Sequence, residues 1–172
     1  INEPTILNPA LVGRLYSSDP QVIVQMASAY LQGLQADGKV IGTLKHFPGL
    51  GSSGTNPDHG LPVVDRSQTQ LDGHEFVPYR ELIAQKHVHA IMVTHILLPQ
   101  IDNTYPASLS QKVITGLLRD DLGFKGLIIT DDLQRIRSIE PDLGQAGLLS
   151  IEAGSDILIG PLFPADVTAI IT

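Results

Sequence analysis

A chain of 172 residues, 42% of them hydrophobic and with a formal charge of −7, holds enough apolar material for one buried core. Its acidity, and the lack of any run of five Lys or Arg, argue against a phosphate-neutralising surface, so nucleic acid is not an expected partner. The absence of cysteine excludes disulfides, thiolate metal sites and a Cys nucleophile, and no stretch approaches the ~18 consecutive apolar residues of a membrane span.

The chain opens on Ile1-Asn2-Glu3-Pro4, with neither an initiator methionine nor a signal peptide, and is expected to be processed, cut or partial. Ser18-Asp19-Pro20 is a cap followed by proline at the first helical position. Val22, Ile23, Met26, Tyr30, Leu31 and Leu34 then recur at helical spacing until Gly38. A short apolar strand is predicted over Val40–Leu44, and Lys45-His46-Phe47-Pro48-Gly49-Leu50-Gly51 follows it directly. A cation and an imidazole beside a Gly/Pro turn place polar chemistry at a strand's carboxyl end, where ligand sites of α/β proteins gather. The Gly/Ser/Pro-rich stretch from Gly49 to Pro62 is therefore a candidate active-site loop.

Phe76, Tyr79, Leu82 and Ile83 mark a second helix, and His89–Thr94 a second strand. Ser110 can cap a third helix with Val113, Ile114, Leu117 and Leu118 inward and Gly123 past its end. Leu127–Thr130 reads as a strand that runs into Asp131-Asp132-Leu133. A fourth helix carries Ala146, Leu149, Ile151 and Ala153 before Gly154, and a fourth strand spans Asp156–Ile159. Short continuous apolar strands alternating with helices predict a parallel α/β architecture, either an open doubly wound sheet or a barrel.

The ordered motifs resemble one family. Lys45–Gly51 followed by Gly60-Leu61-Pro62 resembles the KHFPGHG...LP signature of glycoside hydrolase family 3, in its β-N-acetylhexosaminidase branch. Ala90–His95 resembles the family's next strand and Gly126–Leu133 the strand that carries its nucleophile. Asn8-Pro9-Ala10-Leu11-Val12-Gly13-Arg14 resembles the NPxxGxR segment, with Gly13 one place late. The resemblance implies a (β/α)8 TIM-type barrel, which typically needs ~250 residues, so this chain is expected to hold the later part as one partial catalytic domain, 1–172. The earlier strands would lie upstream of Ile1.

The implied activity is removal of terminal β-linked N-acetylhexosamine, chiefly N-acetylglucosamine, by a retaining double displacement, as in peptidoglycan turnover. Retention needs an anionic oxygen at the anomeric carbon and a proton donor for the leaving oxygen. Asp131, at a strand's carboxyl end and at the first position of the Asp-Asp-Leu match, is the implied nucleophile, with Asp132 left to cap the next helix. Lys45 and His46, which together donate and accept hydrogen bonds, and Arg14 match the family's sugar ligands. His95, Thr94 and Thr130 are expected to support the rim.

The proton donor departs from the pattern, since Leu50 replaces the motif's second His and Ser52-Ser53 its usual Asp-Thr. Either His59 is the acid/base with Asp58 orienting it, or a buried Asp58 protonates the leaving group, or Asp58 is a turn residue after Asn56-Pro57 with His59 exposed. Neither a metal nor another cofactor is expected: no HExxH pair or phosphate-binding glycine motif is present. The expected partner is a carbohydrate substrate, an N-acetylglucosaminide. A family β-glucosidase, a phosphorylase and a non-catalytic sugar-binding homologue stand as alternatives.

Overall fold

The computed structural model describes residues 8, 11–55, 60–160 and 164–171. Helix α1 (Pro20–Leu34) begins as its sequence demands, with Pro20 at the first position and the Asp19 carboxylate accepting from the Gln21 N–H at 2.8 Å. Strand β1 (Thr43–Phe47) follows, then helices α2 (Gln68–Gly73) and α3 (Phe76–Ala84), and strand β2 (Ala90–Val93). A π-helix (Lys112–Asp121) precedes strand β3 (Leu127–Asp132), and helix α4 (Leu143–Ala153) leads to strand β4 (Ile157–Ile159) and helix α5 (Pro164–Ile171). All neighbouring strands pair in parallel, in the order β1-β2-β3-β4. Each crossover thus moves one strand onward without the reversal of a doubly wound sheet, which is barrel topology.

The first strand lies further along the chain than predicted. Val40 and Ile41 are exposed and outside any strand, whereas Lys45, His46 and Phe47 lie within β1. Pairing explains it: Thr43 sits opposite Ala90 and Leu44 opposite Ile91, and the register then shifts so that Phe47 faces Val93. The Lys45–His46 peptide, inside that irregularity, is cis, as is Phe47–Pro48. Apolar character fixed where an apolar run was, but backbone pairing fixed the strand.

One face of the sheet is packed with helices. Phe47 stacks on Phe76 with ring centroids 5.5 Å apart and meets Tyr79 edge-on at 5.0 Å, and Ile91, Val93, Ile114, Leu118 and Ile128 extend the same core. Of the predicted α1 stripe, Ile23 and Leu31 are buried, whereas Val22, Met26, Tyr30 and Leu34 are exposed and Val24 and Ala27 are buried in their place. Both phases have helical spacing, and only the position of the sheet selects between them.

Val113, Ile114, Leu117 and Leu118 are buried as predicted, although the helix that carries them is a π-helix that ends with the Leu122 N–H on the Leu117 carbonyl. Ser110 helps start it, accepting from the Val113 N–H at 3.3 Å while donating to the buried Asp102 at 2.7 Å. Helix α4 starts at Leu143, where Asp142 caps it, and ends as predicted before Gly154, which lies in the left-handed region, φ 113°. Of the apolar residues it carries, Ala146 and Ala153 are buried and Ile151 is exposed. Gly147 faces α5, where an added Cβ would lie 2.4 Å from Ile170 Cδ1.

At the amino ends of the strands Arg119 acts as a clamp. Its guanidinium donates to the Gly126 carbonyl at 2.6 Å and to Asp156 at 2.6 Å, and it lies 5.6 Å from the Phe124 ring centre. Asp156 also accepts from the Ile128 N–H at 2.7 Å, so the entries of β3 and β4 are tied together.

Candidate active site

The carboxyl ends of β1, β2 and β3 form one rim, and the polar residues there converge on Asp131. The Asp131 Oδ1 accepts from the Asp132 N–H at 2.9 Å and its Oδ2 from the Thr94 hydroxyl at 3.0 Å. His46 Nε2, from β1, lies 3.9 Å from Oδ2. Burial alone would raise the Asp131 pKa, but the Asp132 N–H, His46, His95 and Thr94 outweigh it and hold the carboxyl below its ordinary value. The group is therefore an anion at neutral pH, oriented by donors and still partly open to solvent.

His46 is neutral under the same conditions. Burial, reinforced by the neighbouring charges of Lys45, Arg14 and Arg135 and opposed by Asp131, brings its pKa down to about 4. Its contact with Asp131 is thus a polar approach to a carboxylate rather than an ion pair at pH 7.

Arg14, Lys45 and His46 line one cavity of about 200 Å³, together with Gly49, Leu50, Glu75 and apolar side chains from α1 and α3. Asp131 is not in its wall, so His46 is the residue shared between cavity and carboxylate. Asn8 joins the Arg14 segment to the turn after β1, with its side-chain N–H groups 3.3 Å from the carbonyls of Leu50 and Thr55. Of the residues singled out in the sequence, Asp131 and His46 are in contact and Lys45 and Arg14 flank His46. Asp58 and His59 lie outside the described residues.

The supporting residues act as their chemistry suggests. Asp132 Oδ1 accepts from the Gln134 N–H at 3.0 Å and caps the 3-10 turn Leu133–Ile136. Thr130 accepts from the Ile159 N–H at 2.9 Å, tying β3 to β4, and His95 hydrogen bonds to Ser108 and to the Asp132 carbonyl. His87 and His89 are exposed, and among the described residues no three acidic or histidine side chains could hold a metal ion. No helix among them is long and apolar enough to cross a membrane.

Sequence reasoning missed Glu75, a buried carboxylate in the cavity wall, because Gly73-His74-Glu75 reads as an ordinary helix approach. It also missed Arg135, whose position on the turn after Asp131 brings its charge to bear on both His46 and His95.

Parallel strands in sequential order, with chemistry-bearing side chains gathered at their carboxyl ends, define the class of α/β barrels. Within it the family is specific: a profile of the glycosyl hydrolase family 3 N-terminal domain matches residues 7–170, and the chain belongs to that family. A β-hexosaminidase from Tolumonas auensis is 36% identical over 151 residues, covering 85% of this chain and 43% of its own length. The structure of a family 3 β-N-acetylglucosaminidase from Paenibacillus sp. superposes with a TM-score of 0.86 at 35% identity, over 95% of this chain and 31% of that one. The β-glucoside phosphorylase BglX superposes with a TM-score of 0.88 at 31% identity, over the same shares, 95% and 31%. The chain spans less than half the length of the curated relatives it matches.

Proposed function

We propose that this chain carries the nucleophile and part of the sugar site of a retaining glycoside hydrolase that removes terminal β-linked N-acetylglucosamine or a similar N-acetylhexosamine. The observation that carries the reading is the Asp131 carboxylate, anionic, held at both oxygens by donors and presented at the carboxyl rim of a parallel sheet. Asp131 attacks the anomeric carbon as the glycosidic bond breaks and a general acid protonates the leaving oxygen. Water, deprotonated by the same group, then releases the sugar from the ester and restores the carboxylate. His46, neutral and able to donate or accept, with Lys45 and Arg14, would hold hydroxyls of the non-reducing sugar. The proton shuttle is assigned to His59 with Asp58.

A mechanism-based N-acetylglucosaminide should add its mass to the peptide that contains Asp131. Asp131→Asn should lower turnover on the order of a thousandfold or more with the fold intact. An unlabelled Asp131, or full turnover by the Asn variant, sinks the assignment.

The likeness to BglX favours a second reading, in which phosphate rather than water attacks the glycosyl ester and the product is the sugar 1-phosphate. Acceleration of turnover by inorganic phosphate, with that product appearing, separates it from hydrolysis.

A further inference from the structure

We propose that His95 is a positioning residue for the nucleophile, a neutral imidazole protonated at Nε2 that immobilises Asp132 and thereby sets the angle of the Asp131 carboxylate; this rests on the reading of Asp131 as nucleophile. His95 is buried at the end of β2, and both ring nitrogens are engaged, Nε2 with the Asp132 carbonyl at 2.9 Å and Nδ1 with the Ser108 hydroxyl at 2.6 Å. A carbonyl oxygen can only accept, so the proton is on Nε2. Among the described residues Ser108 Oγ has no other partner, so its hydroxyl donates to Nδ1 and would lose its acceptor if the ring took up a second proton.

The chain of contacts continues inward. The Ser108 carbonyl accepts from the Ser150 hydroxyl at 2.7 Å, and Ser150 lies 3.2 Å from the Ser155 hydroxyl, all three serines being buried. A polar string from α4 and the entry of β4 therefore backs the imidazole, and nothing on it needs a charge. Burial favours the neutral ring, against the Asp132 carbonyl and the charges of Asp131 and Asp132, with Arg135 acting in the same direction as burial.

The geometry matters because two consecutive residues grip two consecutive residues. Thr94 holds the Asp131 side chain while His95 holds the Asp132 main chain, and the Asp132 N–H in turn holds Asp131 Oδ1. With Asp132 fixed at both its N–H and its carbonyl, the carboxylate cannot swing about its own chain without breaking a partly buried hydrogen bond.

The test compares His95→Gln, which keeps an N–H where Nε2 stands, with His95→Leu, which keeps bulk alone. At saturating mechanism-based N-acetylglucosaminide, labelling of Asp131 should slow about a hundredfold in the Leu variant, because small misplacements of a reacting group cost rates of that order. The Gln variant should recover most of that loss, while both variants bind N-acetylglucosamine as the parent chain does. In ¹⁵N NMR of the parent chain without any sugar, His95 should show a neutral ring protonated at Nε2 from pH 8 down to pH 7, the signal assigned by its loss in the Gln variant. A ring protonated at Nδ1, a cationic ring in that range, or equal losses in the two variants overturns the proposal. Absence of labelling in the parent chain, with the expected imidazole spectrum, instead overturns the nucleophile reading, since the spectrum is read without substrate.

Discussion

His46 carries a proton cost that the fold imposes on it. In the unfolded chain it takes up a proton near 6.5, and in the folded chain, desolvated and facing Lys45, Arg14 and Arg135, only near 4. Between those values the unfolded state binds more protons, so stability is full above about 6.5 and falls as the pH drops toward 4. The shift corresponds to on the order of 3 kcal/mol. Urea midpoints measured from pH 7.5 to 4.5 should fall, and His46→Gln should flatten the slope; an unchanged slope would mean that His46 titrates normally. At this scale the motif made Lys45, His46 and Asp131 legible, because a polar residue at the end of an apolar run is conspicuous. Thr94 was legible only as a neighbour of that rim, and its bond to Asp131 depends on pairing between β2 and β3 that no local pattern encodes.

Among the elements, the turn after β1 and the segment before α2 are joined through one buried carboxylate. Glu75, at the start of α3, accepts at Oε1 from the Ser52 hydroxyl and at Oε2 from Arg66 at 3.2 Å, with His74 Nδ1 3.6 Å from Oε2. Gly49, at φ 135°, packs so closely that a Cβ there would lie 3.2 Å from Glu75 Cγ. Removing one partner of such a cluster leaves the other desolvated, so Glu75→Leu should destabilise the chain by about 3 kcal/mol, and Arg66→Met on top of it should cost much less than it does alone. Additive losses in a double-mutant cycle of denaturation midpoints would show that the two do not act together. Here the sequence was half legible. The existence of α1, α3, α4 and the four strands followed from apolar spacing and caps, whereas the phase of α1 and the start of β1 were decided by which surface the sheet offers. Helix α2, six residues with one buried side chain, has too little apolar signal to be read at all.

For the molecule as a whole, the sheet has two unlike faces. Ile128 and Thr130 point into the helices, while Leu127 and Asp131 share the other side of β3; Leu158 meets α4 and leaves Ile157 and Ile159 opposite. Leu127 is 40% exposed and Ile157 41% exposed, an apolar patch on the face that carries the carboxylate. Expressed by itself, the 172-residue chain should self-associate, and the paired change Leu127→Lys with Ile157→Lys should shift it toward monomer in light scattering. No change in mass between the two would show that the patch is not what drives contact. The alternation of elements made the parallel class readable. Apolar spacing alone left barrel and open sheet undivided; the family resemblance implied the barrel, and the strand order, a property of crossovers and not of any segment, agrees with it.

The Arg119 clamp ties the entries of β3 and β4 at the rim remote from Asp131. Because the strands are held in register from that end, their opposite ends are free to exchange side chains without giving up the scaffold. A new substrate preference could therefore be written into the loops after β1 and β3 by ordinary point mutation while the clamp keeps the strands in register.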